Sequence, residues 1–412
     1  MIFDTKPLED IEESDLQSLL VNPVPERKRI EYKSDLPTDK FKDRKEFLAD
    51  VSSFANTVGG YLLYGVKEED GMPIEICGVE VDSVDALKLK WEGILRDALS
   101  LRIPHLDIHE VKLSTGKWVI ILCIPRSWLA PHRVTLENHG HFYGRTSAGH
   151  FQMDVPQLRT AFELSSTLTK RIRDFRADRL GKIMSGEMPA LLNETMAKIV
   201  FHLIPFGAFE LTSRYDLSTL ALPENRSIIM PLMMQMNEIQ TRNYCQYRYN
   251  FDGLVNYIQW ANDLSGAAYL QVFRNGIIEA VDASILNMDR FPKQILSTHF
   301  EQVLYHALSV YLQTQKTLGV DLPIFAMVSL LGVKDYKMVY FGSWPQGQQN
   351  YPIDRSDLAI PEVMIDRFDC DPAEVMKPIF DAVWNAAGWK GSMHYDEAGK
   401  WKLQKLVVSE HQ

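Results

Sequence analysis

One segment near the N-terminus constrains the fold more than any other, because two strand patterns flank a helix pattern there. Residues 29–33 alternate charged and apolar side chains, which is the period-two pattern of a half-buried strand. Residues 44–56 repeat apolar side chains at helical spacing, and the pair Gly59–Gly60 follows. Asn56 and the glycines tolerate the positive φ at which helices often end. The apolar run 61–66 is short enough for a buried strand, so the segment predicts a β-α-β unit.

The same kind of pattern continues to residue 165. The elements predicted next are strands at 73–79, 106–113, 117–125 and 141–145, and helices at 83–101 and 155–162. They complete a self-contained mixed-sheet domain over residues 25–165. An N-terminal extension, 1–24, precedes it and carries Leu16, Leu19 and Leu20 on a short helical pattern.

The remainder of the chain predicts a second body. Residues 166–190 read as a basic helix and a linker, and residues 191–412 as a C-terminal α/β domain with a regulatory or sensing role. Its predicted elements are strands near 197–204, 267–274, 324–331 and 337–341, and helices near 295–316 and 371–387. The fold class is therefore α/β (α+β), with two domains.

Composition limits the partners and the location. The formal charge is −10, whereas a protein that grips nucleic acid over its whole surface is usually basic. No apolar run reaches the ~20 residues of a membrane helix, and the N-terminus lacks a signal-peptide pattern. The four cysteines are far apart in sequence, which is typical of a reducing compartment. We expect a soluble, cytoplasmic protein without a membrane partner.

One local patch is basic. Residues 170–182 carry six Lys and Arg against two Asp. At helical spacing Arg173, Arg176 and Arg179 lie near one another, and Lys170 precedes them. Two interpretations stay open from the pattern alone, a solvated helix face between domains and a surface that binds nucleic acid.

Acidic side chains surround the first predicted strand. Glu31 and Lys33 are two residues apart, so on a strand they project from the same face. Carboxylates beside a lysine suit Mg²⁺ or Mn²⁺, which prefer oxygen ligands, and such an ion polarises a phosphate. Glu26 lies five residues before Glu31, and the next acids are the triplet at 68–70. An ordinary exposed strand followed by an acidic turn is the alternative interpretation.

A family resemblance bears on this choice. Residues 25–163 resemble the Schlafen AlbA-2 domain, with Ser53 to Gly60 (SFANTVGG) as the most specific part of the match. The other matching pieces fall in the family's order: RIEYK at 29–33, the glycine-rich strand through 65, an acidic loop returning to Gly78, and Phe142-Tyr143-x-Arg145 followed by Met153 and Leu158. Residues 183–412 resemble no family that we recognise.

The resemblance implies a metal-dependent nuclease site. Schlafen nuclease domains use two glutamates and an aspartate with a divalent ion, and Glu26 and Glu31 occupy the positions of the two glutamates. Lys67 stands where the family aspartate is expected, so Glu68 is the implied third ligand for Mg²⁺ or Mn²⁺. Two further acids could replace it, Glu69 and Asp70. Lys33 would contact the phosphate.

Several functions follow as hypotheses from the resemblance. The preferred one is an endoribonuclease acting on structured RNA such as tRNA, with RNA favoured over DNA, possible use in phage defence, and backbone contacts from Arg145, Lys170, Arg173 and Arg176. The alternatives are a non-catalytic DNA- or RNA-binding transcriptional regulator and a dimerising interaction scaffold. Since only one copy of the motif is present, a homodimer is expected to form the RNA cleft. No ATP site is expected, because the chain lacks a phosphate-binding Gly-x-x-x-x-Gly-Lys loop.

Overall fold

A computed structural model describes residues 3, 6, 8–26, 28–104, 106–127, 129–136, 140–193, 195–209, 214–235, 245–259, 266–396 and 398–403. The chain divides into two compact units, Met1–Thr167 and Leu168–Gln412. Both contain helices and sheets, which confirms the predicted α/β (α+β) class. Within the described ranges, every helix is too short or too polar to cross a bilayer.

The described residues of the first unit form three α-helices, the start of one long α-helix, and ten strands. The helices are α1 (Glu13–Val21), α2 (Phe41–Ala55), α3 (Val84–Ala98) and α4 (Val155–Met184). The strands are β1 (Ile30–Lys33), β2 (Gly60–Tyr64), β3 (Lys67–Glu69), β4 (Met72–Glu75), β5 (Leu99–Ser100), β6 (Asp107–Lys112), β7 (Trp118–Ile124), β8 (Arg133–Val134), β9 (His141–Thr146) and β10 (Gly149–Gln152).

The central sheet of this unit has the order β1-β2-β7-β6. β1 and β2 are parallel, as a β-α-β connection through α2 requires, and the other neighbours are antiparallel. A second, antiparallel sheet has the order β10-β9-β8-β5, and β3 and β4 form a separate hairpin. The predicted β-α-β segment is confirmed.

Helices cover both faces of the central sheet. Phe47 of α2 and Trp91 of α3 pack on one face, in a cluster with Leu62 and Leu122 of the strands. The opposite face is covered by α1, whose Leu16 and Leu19 are buried with Ile30 and other strand residues. Helix α1 of the N-terminal extension therefore contributes to the core of the first unit.

The turn after α2 depends on Asn56 and Gly59. Asn56 does not adopt the positive φ that the sequence suggested, since its φ is −77°. Instead, its side-chain amide donates to the carbonyls of His132 and Tyr143 and accepts from the backbone N–H of His132. Gly59 does have positive φ, +69°, and a Cβ there would lie 2.6 Å from the backbone nitrogen of Arg126. The two residues thus join the helix end to the chain around it.

In the described part of the second unit lie the C-terminal part of α4, three further α-helices and ten strands. The helices are α5 (Ser218–Ala221), α6 (Ser297–Thr317) and α7 (Pro372–Ala386). The strands are β11 (Lys198–Pro205), β12 (Cys245–Tyr249), β13 (Gly253–Gln259), β14 (Gly266–Phe273), β15 (Ile278–Asp282), β16 (Gln294–Leu296), β17 (Ile324–Leu331), β18 (Lys337–Val339), β19 (Leu358–Ala359) and β20 (Val363–Ile365).

An eight-stranded antiparallel sheet forms the centre of the second unit. Its order is β12-β13-β14-β15-β11-β17-β19, and β20 also pairs with β17. One face packs on α6 and α7, through residues such as Phe300 and Phe380. The other face packs on the C-terminal turns of α4, through Leu180 and Ile183. All eight residues of both β11 and β17 are buried, because both faces are covered.

Candidate functional site

The side chains of β1 place an acid and a base together, as the sequence predicted. The carboxylate of Glu31 lies 2.6 Å from the ammonium nitrogen of Lys33, which confirms that the two residues share a face. Glu31 is only 7% exposed. Lys33 also lies 3.4 Å from a carboxylate oxygen of Glu46 and 3.7 Å from one of Asp50, both on α2. Lys33 is therefore a cation among three carboxylates.

Arg145 of β9 is turned into the domain. Its guanidinium forms an ion pair with Glu31 and stacks over the ring of Phe54, with 4.0 Å to the ring centroid. Arg145 is 5% exposed, so it is not placed at the surface, where a contact to a nucleic-acid backbone was expected. A buried guanidinium needs an acidic partner, and Glu31 supplies it.

Two residues of the site were missed in the sequence, Asp50 and His150. Asp50 is 1% exposed, and its Oδ1 lies 2.7 Å from Nδ1 of His150. His150 faces Arg145 directly across the β9–β10 hairpin, so both reach the same helix. The available signal was the position of Asp50 between Phe47 and Phe54, where helical spacing calls for an apolar side chain.

Burial and the neighbouring charges set the pKa values of this cluster. Burial alone would raise the pKa of Glu31, but Arg145 and Lys33 outweigh it and lower that pKa. For Asp50 burial dominates and raises the pKa, although His150 opposes it. The bond to Asp50 in turn raises the pKa of His150. At neutral pH the cluster thus holds Glu31 as a carboxylate between two cations.

The other two predicted acids, Glu26 and Glu68, both contact Gly71 in the turn between β3 and β4. The Oε1 of Glu26 accepts a bond of 2.8 Å from the backbone N–H of Tyr32, and the N–H of Glu26 donates to the carbonyl of Gly71. Glu68 accepts a bond of 2.6 Å from the N–H of that same glycine. Burial raises the pKa of Glu26, and the negative charges of Glu31 and Glu68 add to the effect. Glu68 is thus the acid of the triplet that acts on Glu26.

The two glutamates of the β1 region consequently differ in chemistry. Glu26 holds a proton more readily than an ordinary glutamate, and Glu31 less readily. Neighbouring acids whose pKa values are pushed apart are suited to general acid–base work. Because Glu26 is also partly exposed, it is the one that a substrate could reach.

The carboxylates as placed do not match a metal site. No group of three or more His, Cys, Asp and Glu side chains among the described residues is arranged to hold an ion. Glu31 already binds Lys33 and Arg145, and Glu26 and Glu68 each accept a backbone N–H. The predicted Mg²⁺ or Mn²⁺ ligation by Glu26, Glu31 and Glu68 therefore stays a prediction.

The predicted basic helix is the C-terminal half of α4, and its arginines contact other elements of the second unit. Arg173 donates to Glu362 over 2.8 Å, and Arg176 donates to the carbonyl of Ile360 over 2.6 Å. Arg179 is buried against Glu279. Lys170 is exposed. Much of the positive charge of this helix is thus matched within the fold, and the role of Lys170, Arg173 and Arg176 in nucleic-acid binding stays a prediction.

A comparison with known protein families finds a match within the first unit. Residues 26–154 match the family described as Schlafen, AlbA_2. A search of curated proteins finds no match. Among solved structures, the DIP2311 protein from Corynebacterium diphtheriae is similar, with 17% identity, a TM-score of 0.24, and coverage of 34% of this chain and 29% of that one. The matched part is thus less than a third of that structure.

A second similar structure is the N-terminal domain of a protein named as related to the ATP-dependent DNA helicase RecG, from Nitrosomonas europaea. It shows 25% identity and a TM-score of 0.21, and the match covers 27% of this chain and 70% of that one. The matched range includes β1, α2 and the β9–β10 hairpin, which carry Glu31, Asp50 and Arg145. Residues 26–154 of this chain therefore form a Schlafen AlbA_2 domain.

Proposed function

We propose that the AlbA_2 domain binds structured RNA in the cytoplasm and cleaves it, with tRNA as the preferred substrate class over DNA. The observation that carries this proposal is the position of Glu26 beside Glu31 and Glu68, at β1 and the neighbouring β3–β4 turn of a domain that matches the Schlafen family. The family match supports a nucleic-acid role, and the acidic cluster supports chemistry at that place.

Each residue would have a distinct role. Glu26 has a raised pKa and is partly exposed. It would accept a proton from the attacking group and donate a proton to the leaving oxygen during phosphodiester cleavage. Lys33 is the partly exposed cation that would contact the phosphate. Glu31 would position Lys33 and Arg145 by its two ion pairs. The resemblance implies Mg²⁺ or Mn²⁺ as the cofactor. Among the described residues, the carboxylates as placed do not form a site for such an ion.

The test is cleavage of total tRNA by the purified full chain, in Mn²⁺, in Mg²⁺ and in EDTA. We expect discrete fragments from the wild type and none from Glu26→Gln or Glu31→Gln. The matched control is Glu75→Gln, which removes an equal charge from an exposed acid on β4 that is not a candidate ligand. Fragments of equal yield from all four proteins would refute the assigned centre. Fragments in EDTA would show that the ion is dispensable.

Binding without cleavage is the second candidate, as in a nucleic-acid-binding regulator. It is favoured by the engagement of both Glu31 oxygens with Lys33 and Arg145, and by Lys67 at the position of the family acid. Intact tRNA that is retained on a filter would support it, with a steep salt dependence as phosphate contacts require. If the protein neither cleaves nor binds tRNA, the hypothesis of a dimerising interaction scaffold is the one that remains.

We further propose that two copies pair so that their AlbA_2 domains share an RNA groove, and that the second unit regulates or senses, as in phage defence. The pairing is supported by the single copy of the motif in the sequence. Light scattering after size exclusion should give twice the mass of 47.3 kDa. An active protein that is strictly monomeric would refute the shared groove.

A further inference from the structure

A cavity of about 210 Å³ opens beside Lys33 in the first unit. It lies between the end of β1, the loop that follows, and the N-terminal half of α2. Its volume is more than ten times the ~10–15 Å³ of accessible space that one water molecule needs, so it is large enough for a small organic molecule. The lining residues are Lys33, Asp35, Leu36, Pro37, Asp43, Glu46, Phe47, Asp50 and Tyr64.

The charge of this cavity selects a cation. Four of its lining residues are acids, Asp35, Asp43, Glu46 and Asp50, against one base, Lys33. The ammonium of Lys33 lies 2.6 Å from Glu31, 3.4 Å from Glu46 and 3.7 Å from Asp50, so it neutralises part of this negative charge. With four acids and one base, the lining still carries an excess of negative charge, which attracts positively charged groups.

Asp50 gives the second, independent sign of a ligand. It is 1% exposed, and while its Oδ1 bonds to His150, its Oδ2 is buried without a hydrogen bond. The ammonium of Lys33 lies 3.7 Å from that oxygen, which is too long for a hydrogen bond. A buried carboxylate oxygen is costly without a donor, and an N–H group of a ligand in the cavity would supply one.

The chemistry of the walls indicates the kind of cation. The acids are not grouped as ligands of a single metal ion among the described residues. They are instead spread around a cavity that also has apolar surface from Leu36, Pro37 and Phe47. Several separated carboxylates with apolar surface between them suit ammonium groups joined by methylene chains, because the chains pack on apolar side chains while the charges pair.

We propose that this cavity binds an aliphatic polyamine, with one ammonium group donating to Oδ2 of Asp50 and another pairing with Glu46. Glu46 is half-exposed at the mouth, and Asp50 lies at the buried end. This is a site for a ligand other than RNA, and it is independent of whether the domain cleaves RNA. Occupancy would add positive charge next to Lys33 and so favour the approach of a phosphate to this side of the domain.

The probe is spermidine, titrated into the full chain by isothermal calorimetry at physiological ionic strength and without RNA. We expect saturable binding at one site per chain. Glu46→Gln should weaken Kd about tenfold, since a charge-assisted hydrogen bond is lost. Asp50→Asn should weaken it at least as much, and the thermal melting point shows whether that variant is folded. If Asp50→Asn does not fold, Glu46→Gln still decides, because its side chain is 49% exposed.

The matched control is Glu69→Gln, an exposed acid outside the cavity. It changes the net charge by the same amount and should leave Kd unchanged. Equal weakening by Glu69→Gln and Glu46→Gln would mean diffuse attraction to an acidic protein and would overturn the proposal. The proposal would also be overturned if spermidine did not bind saturably, or if Mg²⁺ at millimolar concentration displaced it with an affinity equal to that of spermidine. Since no RNA is present, none of these results depends on the proposed nuclease function.

Discussion

The buried ion pair between α4 and the central sheet of the second unit allows a quantitative prediction. Glu279 of β15 is fully buried. It accepts two bonds of 2.8 Å from the guanidinium of Arg179, one of 2.9 Å from the hydroxyl of Tyr269, and lies 2.9 Å from Nε2 of His202. Replacing Arg179 by methionine keeps most of the side-chain length but leaves the carboxylate of Glu279 without its main cation.

The pKa of Glu279 provides the magnitude. Burial raises it, but Arg179 and His202 overcome burial and hold it at about 2, against 4.5 for an ordinary glutamate. At ~1.4 kcal/mol per unit, this difference corresponds to about 3 kcal/mol of stability at neutral pH. Removal of one partner of a buried pair costs about 3–5 kcal/mol in other proteins. We therefore expect Arg179→Met to destabilise the second unit by about 3–5 kcal/mol.

The sign of the pH dependence follows from the lowered pKa. The stabilisation by Glu279 is complete above pH 4.5, the value in the unfolded chain, and is lost as the pH falls towards 2. The double variant Arg179→Met with Glu279→Gln should recover part of the loss, because no buried charge is left behind.

The assay is hydrogen exchange measured by mass spectrometry on peptides from β15 and β11, which reports the second unit without assuming one unfolding transition. The matched control is Arg173→Met on the same helix. Arg173 pairs with Glu362 but its side chain is 60% exposed, so its loss should cost about 0–1 kcal/mol. Equal protection factors in Arg179→Met and Arg173→Met would refute the assigned role of the buried pair.

Three further predictions concern single residues. Burial raises the pKa of Glu301 to about 7, so its contribution to the free energy of unfolding is most favourable below pH 4.5 and declines by about 3 kcal/mol as the pH rises to about 7. Urea unfolding of Glu301→Gln at several pH values should not show this decline. The same pH dependence of the free energy of unfolding in the two proteins would contradict the prediction. Asp50→Asn should lower the raised pKa of His150, as followed by NMR titration of the imidazole, and an unchanged pKa would exclude Asp50 as its cause. Gly59→Ala should destabilise the first unit by more than ~1 kcal/mol, because φ is +69° and the new Cβ would meet the backbone of Arg126. Urea unfolding measures this loss. An unchanged unfolding midpoint would show that the turn can relax.

Local patterns were sufficient wherever a feature depends on neighbours in sequence. The strand at 30–33, the helix before the glycine pair and the strand after it were all predicted, because periodicity follows from the backbone geometry of each element. Strands β12, β13 and β15 were not predicted. In β15, Glu279 and Asp282 are fully buried, and two acids in five residues hide the apolar character of a core strand.

The side-chain partners of the site could not be predicted in the same way. The resemblance implied that Arg145 contacts a nucleic-acid backbone, but Arg145 is buried against Glu31, which is 114 positions away. Asp50 and His150 are 100 positions apart and meet only because the β9–β10 hairpin reaches α2. A local sequence pattern cannot predict such a pairing, because the pairing depends on sheet register and on where a hairpin packs.

The sequence by itself therefore determined the order of elements around β1 and the shared face of Glu31 and Lys33, since both follow from alternation along one strand. Only the tertiary structure decided that Glu31 is held between Lys33 and Arg145, and that Arg179 neutralises Glu279 inside the second unit. The physical reason is the cost of burying a charge, because a charged side chain that leaves water must find a partner, wherever in the chain that partner lies.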